Sequence, residues 1–161
     1  MNTREFFIQR FKAERPAFIN VLRALPEGKL GYRPDARNST AGSIAWFLVL
    51  ELRGLVALLR TSEMHWQQPP APDTAAAIAD AYAAAADEMD ATLATLDDAA
   101  WERDAHMYVG GKLFKTEPAG ESVWDFFFDA IHHRGQLTAY LRPMGGKVPS
   151  TYGPTADSAS R

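Results

Sequence analysis

Four stretches of about 20 residues, each with apolar side chains at helical spacing, constrain the fold of this chain most. The first spans residues 4–25 and the last spans residues 120–142, and clusters of proline and glycine separate the stretches. Helices of this kind bury their apolar faces against one another. The pattern therefore predicts an all-α four-helix bundle. The connections are not all short, so we do not assume a simple up-down-up-down order.

Residues suited to capping a helix stand where the apolar stretches begin. They are Asn2 with Glu5, Thr40 or Ser43, and Asp73 or Thr74. Pro16 lies inside the first stretch, where it removes a hydrogen bond and should kink the helix. Between the third and fourth helices, two short apolar runs flank Gly110-Gly111 and predict a β-hairpin, which acts as a lid or as a tight connection.

The length and composition limit the classes of protein to which the chain can belong. With 161 residues it has the size of one domain, which we place at residues 1–154, and we expect residues 155–161 to form a disordered tail. The net charge of −3 gives no basic surface to attract nucleic acid. There is no cysteine, so any thiol chemistry needs a thiol from a cosubstrate.

The most apolar stretch, residues 44–59, is shorter than the ~20 residues of a membrane span and contains Glu51 and Arg53. We therefore expect a cytoplasmic protein without a membrane partner. Two copies could pair through exposed faces of the bundle, although the sequence does not show which face.

Glu51 is the charge that fits its surroundings least. On a helical projection Trp46, Arg53, Ala57 and Arg60 share one face, which we interpret as the solvent face. Glu51 lies on the opposite side, among Ile44, Phe47, Leu55 and Leu58. A buried carboxylate is costly without a partner. The pattern therefore predicts a partner for Glu51, which could be a metal ion, a histidine or an arginine.

Glu14 gives a weaker signal of the same kind on the first helix. It projects close to Phe7, Phe11 and Phe18, so it either faces inward or lies at the rim with its carboxylate in water.

The last helix carries a narrow polar stripe opposite its apolar face. The stripe consists of Ser122, Asp125, Asp129, His133, Gln136 and Tyr140, and Phe126 and Phe128 flank it. Asp129 and His133 are four residues apart, so both side chains can reach one metal ion, or they can form a local pair on a solvated face. With Glu51 they predict a site of two carboxylates and one imidazole. These donors suit Zn, Ni, Mn or Fe, and the spacing does not select among these metals.

The segment from His132-His133-Arg134-Gly135-Gln136 to Gly145-Gly146 resembles the C-terminal signature of the DinB-like superfamily, the bundle family that includes bacillithiol transferases. The resemblance extends to the first helix, to Ser43-Ile44-Ala45-Trp46 and to the tail that contains Val148-Pro149. It implies a DinB-like four-helix bundle and a metal site of three histidines. His133 matches one of these histidines, whereas Asp129 and Phe47 stand at or near the other two positions. Glu51 lies one turn beyond Phe47 and could replace the missing ligand.

Two functions remain open from the sequence. In the first, the chain is a metal-dependent thiol S-transferase or hydrolase acting on a small molecule. A low-molecular-weight thiol could then be the cosubstrate, with Tyr140 or His132 as an acid or base beside the pocket. In the second, the metal has been lost and the chain is a non-catalytic, stress-related bundle that binds a ligand.

Overall fold

Four long helices form where the apolar spacing predicts them, in a computed structural model that describes residues 2–158. The helices are α1 (Thr3–Arg23), α2 (Ala41–Thr61), α3 (Ala75–Thr95), the single turn α4 (Asp98–Trp101) and α5 (Ala119–Leu141). The predicted all-α bundle is confirmed.

The packing order of the helices differs from their order in the chain. α2 packs mainly against α3 and α5, and α1 packs against the same two helices. The consecutive helices α1 and α2 therefore lie diagonally across the bundle. Within residues 2–158, α2 is the one helix long and apolar enough to cross a bilayer, and 67% of its apolar segment is buried inside the bundle.

Three of the predicted caps define helix starts. The side chains of Asn2, Thr40 and Thr74 each accept a hydrogen bond from a backbone N–H of the first turn, at 2.9–3.1 Å. The Asn2 backbone N–H in turn donates to the Glu5 carboxylate at 3.3 Å, which completes the capping box. Of the alternative residues, Ser43 and Asp73 do not take the cap position.

A three-stranded sheet packs against α2 and α5. The predicted hairpin is β2 (Asp104–Val109) and β3 (Lys112–Pro118), and Gly110 and Gly111 both adopt the positive φ that its tight turn requires. The sequence did not predict β1 (Glu63–Trp66), which pairs in parallel with β2. This strand has four residues and one buried side chain, and that pattern does not distinguish it from a loop.

The prediction that Trp46 faces solvent is wrong. Arg53, Ala57 and Arg60 are exposed, but Trp46 is buried. The chain after β1 returns across α2, so that the indole Nε1 donates to the carbonyl oxygen of Pro69 at 2.8 Å. A helical projection shows one helix alone and does not show a loop that covers it.

The chain after α5 folds back on the end of that helix, where Asp157 accepts two hydrogen bonds. The Asp157 carboxylate accepts from Arg142 Nε at 2.9 Å and from the Val148 N–H at 3.0 Å. Residues 159–161 lie outside the described part of the chain, so disorder over residues 155–161 stays a prediction.

Candidate functional site

Glu51 faces inward from the middle of α2, as its spacing predicts. Its side chain is 2% exposed and borders a cavity between α1, α2, α3 and α5, lined by apolar and aromatic residues such as Phe18, Tyr82 and Phe127. The cavity offers about 20 Å³ to the centre of a water molecule, which is room for one water. The carboxylate therefore lies in surroundings of low polarity.

The predicted partner for Glu51 is not present among the described side chains. Neither carboxylate oxygen has a hydrogen-bond partner within residues 2–158. Burial raises the pKa of Glu51 to about 10, and the nearby carboxylate of Asp129 contributes to the increase. Two ionised carboxylates have no proton to share, but a protonated Glu51 can donate a hydrogen bond to Asp129, and this contact favours the protonated form. Without a cation, Glu51 is protonated at neutral pH.

Asp129 and His133 form the local pair that their spacing allows. Asp129 Oδ2 lies 3.3 Å from His133 Nε2. On the other side of the ring, Nδ1 is 2.7 Å from Gln136 Oε1. Such a second partner fixes the orientation of an imidazole, as outer-shell groups do for metal-bound histidines. Asp129 is about half exposed and His133 is mostly covered.

Phe47 occupies the side of His133 that faces α2. Its ring meets the imidazole edge-on, with ring centroids 5.1 Å apart. A phenyl ring supplies no ligand for a metal, and here it packs against the histidine. The position at which the resemblance implies a histidine is therefore taken by an apolar contact.

The three predicted metal ligands are neighbours, but they do not form a ready-made metal centre. Asp129 contacts His133, and its carboxylate helps to raise the pKa of Glu51. No three His, Asp or Glu side chains in the described part of the chain are arranged to hold one ion. Two carboxylates and an imidazole nevertheless have the chemistry that Zn, Mn or Fe(II) prefers. The unpartnered oxygens of Glu51 are the feature that fits a cation.

The two predicted acid–base residues lie away from the Glu51 cavity. Tyr140 is buried instead of lying on a polar stripe, and its hydroxyl faces the carbonyl oxygen of Ser39 at 3.4 Å. His132 is exposed, with its ring centroid 5.3 Å from that of His133. Neither side chain lines the cavity that Glu51 borders.

The polar stripe on α5 is also less uniform than predicted. Ser122 is buried, because β2 and β3 cover it, and its hydroxyl lies 2.7 Å from Glu117 Oε1. Phe128 does not shield the stripe, since it is 61% exposed and stacks on Trp124. Phe126 is partly buried and lines the Glu51 cavity.

Glu14 faces inward and has the partner that Glu51 lacks. Arg134 Nη1 donates to Glu14 Oε2 at 2.7 Å, and the Tyr152 hydroxyl donates to the same oxygen at 2.9 Å. Burial alone would raise the pKa of Glu14, but the hydrogen bonds from Arg134 and Tyr152 and the charge of Arg134 outweigh it and lower the pKa. Arg134 also lies over the Phe18 ring, at 4.5 Å.

Sequence reasoning missed this cluster. Arg134 lies within the His-Arg-Gly-Gln segment, next to His133, and this was the available signal. Its partner Glu14 is 120 positions away in the chain. The sequence alone therefore did not connect an inward carboxylate on α1 with an inward arginine on α5.

The profile of the DinB family matches residues 1–160, which is nearly the whole chain. The chain belongs to the DinB family. YrdA, an uncharacterised protein of Bacillus subtilis (strain 168), is 27% identical over 159 residues, covering 96% of this chain and 91% of YrdA.

Solved structures of DinB-like proteins share the fold. One from Bacillus cereus aligns with a TM-score of 0.76 and 22% identity, over 92% of this chain and 97% of the other. One from Bacillus subtilis aligns with a TM-score of 0.72 and 14% identity, over 90% and 96%. The mycothiol-dependent maleylpyruvate isomerase aligns with a TM-score of 0.58 and 12% identity, over 92% of this chain and 65% of the isomerase. Because all three structures are at most 22% identical to this chain, their similarity shows a shared fold and nothing about function.

Proposed function

We propose that this DinB family protein binds a divalent metal ion through Glu51, Asp129 and His133 and acts on a small molecule bound beside it. The observation behind the proposal is the buried Glu51 carboxylate, whose oxygens accept no hydrogen bond from residues 2–158 and which lies close to the carboxylate of Asp129. We assign the protein to the metal-dependent thiol S-transferases or hydrolases.

The electrostatics of the two carboxylates favour a cation between them. A buried carboxylate must take up a proton or gain a positive partner, because isolated negative charge is poorly solvated in a protein interior. Arg134, the buried arginine on α5, is bonded to Glu14 and not to Glu51. A cation bound beside Asp129 would stabilise both carboxylates in their ionised forms.

The absence of cysteine from the sequence is compatible with a thiol that a cosubstrate supplies. The structural likeness to an isomerase that depends on mycothiol points in the same direction. When bound, the metal would lower the pKa of a coordinated water or thiol toward neutral pH, so that more of it is deprotonated. Of the chain's own residues, Gln136 would orient His133, and Phe126 and Phe127 would limit water around Glu51.

The contact of Phe47 with His133 favours a second candidate function. The ring covers the imidazole where the resemblance implies another ligand, and the three side chains do not surround one point. In that case the protein is a non-catalytic ligand-binding bundle, and Glu51 carries a proton in place of a metal.

Metal content distinguishes the two functions. We expect the untagged protein, after incubation with Zn, Ni, Mn or Fe(II) and dialysis, to retain one ion per chain by elemental analysis. Glu51→Gln, Asp129→Asn and His133→Ala should each lose it. Glu63→Gln is the matched control, because the Glu63 carboxylate lies 3.0 Å from the imidazole of His65 on the protein surface. A wild-type protein that retains no ion, or a control that loses it equally, would contradict the metal proposal.

A further inference from the structure

An open cleft lies between the sheet and the helix pair α2 and α5. Its walls are formed by Met64, Trp66, Met107, Val109, Phe114 and Phe126, with Phe47 and Tyr108 completing the lining. The cleft has a volume of about 260 Å³. This is close to the lower end of the ~300–1,000 Å³ that is typical of small-molecule sites.

The lining of the cleft selects for uncharged ligands. No charged side chain lines it in the described part of the chain, and its lining side chains carry only two strong hydrogen-bonding groups, the Tyr108 phenol and the Trp66 indole N–H. An ionised or heavily hydroxylated ligand would lose its hydration there without gaining hydrogen bonds. Five of the eight lining residues are aromatic, so a flat apolar group could pack against ring faces and edges.

The cleft adjoins the candidate metal site. Phe126 lines both the cleft and the cavity that Glu51 borders. On the α2 side, the Phe47 ring lies 5.2 Å from that of Trp66 and 5.1 Å from that of His133. One phenyl ring therefore separates the cleft from Glu51, and another separates it from His133. The unpartnered Glu51 carboxylate, on the other side of Phe126, is a separate sign that a ligand binds near this part of the bundle.

The rim of the cleft is left open to water. Phe114 is 70% exposed and Val109 is 48% exposed, both on the hairpin. Large apolar side chains at the mouth of a concave surface gain free energy when a ligand covers them, by about 25 cal/mol for each Å² buried.

We propose that this cleft binds an uncharged, planar apolar group of the small molecule on which the site acts. The inference rests on the proposed function, because it supplies the substrate class for that site. A hydrophilic thiol cosubstrate would not occupy the cleft, because the lining side chains offer its polar groups only the Tyr108 hydroxyl and the Trp66 indole N–H as hydrogen-bonding partners.

The test is a titration of the full chain with N-phenyl-1-naphthylamine, an uncharged probe with a flat naphthyl group whose fluorescence rises in apolar surroundings. We expect saturable binding of one probe per chain. Val109→Asp, which places a charge on the wall, should weaken binding at least tenfold, and Phe114→Ser should weaken it too. Leu113→Asp is the matched control, because Leu113 is 58% exposed on the same hairpin but does not line the cleft.

The inference is overturned by binding that does not saturate, by equal weakening in Leu113→Asp, or by displacement of the probe by N-acetylcysteine. Its failure can be distinguished from failure of the metal proposal. Bound metal without saturable probe binding contradicts the cleft assignment alone. Saturable binding in a protein that retains no metal supports the cleft and contradicts the metal site. Glu51→Gln should keep the probe affinity, since Glu51 does not line the cleft.

Discussion

Replacing Glu51 with glutamine tests whether ionisation of the buried carboxylate costs the folded state as much free energy as its surroundings imply. Glutamine has nearly the same shape but does not ionise in this range. In metal-free protein, the folded state holds a proton on Glu51 up to a pKa of about 10, whereas the unfolded chain releases it near pH 4.5. The variant removes this difference and leaves the other contacts of α2 in place.

The size of the effect follows from proton linkage. Between pH 4.5 and about 10 the folded protein binds one proton more than the unfolded chain, so the free energy of unfolding falls as the pH rises. The slope is about 1.4 kcal/mol for each pH unit. By pH 7 the wild type has lost about 3 kcal/mol relative to pH 4.5 through this group alone. In the Glu51→Gln variant, the free energy of unfolding does not fall with pH through this group.

Urea unfolding in the presence of a chelator, at half-unit steps from pH 4.5 to pH 8, measures the difference directly. We expect the two proteins to have similar stability near pH 4.5 and the variant to be about 3 kcal/mol more stable at pH 7. Glu63→Gln should follow the wild type, since Glu63 is exposed. A difference between wild type and Glu51→Gln that stays constant with pH would refute the reasoning.

Three further predictions concern the rest of the fold. Glu14→Gln leaves Arg134 buried without its counterion and should lower the free energy of unfolding by about 3–5 kcal/mol at pH 7 in urea unfolding. The loss should shrink as the pH falls below 4.5, because the pKa of Glu14 is lowered in the folded state and its stabilisation disappears when it is protonated. Gly120→Ala should cost about 1–3 kcal/mol, since a Cβ there would overlap the buried Trp101 ring, and an unchanged melting temperature would contradict this. Gly111→Ala strains a residue with a φ of 76° and should cost about 1–2 kcal/mol by the same melt.

The helices could be predicted because their signals are local. Apolar spacing, the side-chain caps at the starts of α1, α2 and α3, and the proline and glycine residues after α1 and α5 are each contained within about 20 residues. The hairpin was predictable for the same reason, since Gly110-Gly111 determines the turn between its strands.

Elements that depend on distant partners were not predictable. β1 becomes a strand by pairing with β2, about 40 positions later, and Trp46 is covered by a loop that passes over α2. A propensity or a helical projection describes one segment at a time and contains neither contact.

In the candidate site, too, local features could be predicted from the sequence and contacts between helices could not. The inward position of Glu51 followed from the helical period of α2 and is confirmed by its burial. The period does not say which groups on other helices meet the carboxylate. The packing of the helices places Asp129 near the Glu51 carboxylate and pairs Arg134 with Glu14.

The most direct test of the account is a crystal structure of the protein grown with Zn or Mn, with anomalous diffraction data collected at the metal edge. The account predicts one anomalous peak about 2.0–2.2 Å from oxygens of Glu51 and Asp129 and from a ring nitrogen of His133. A peak elsewhere, or a Glu51 carboxylate without a cation in a crystal saturated with the metal, would contradict it.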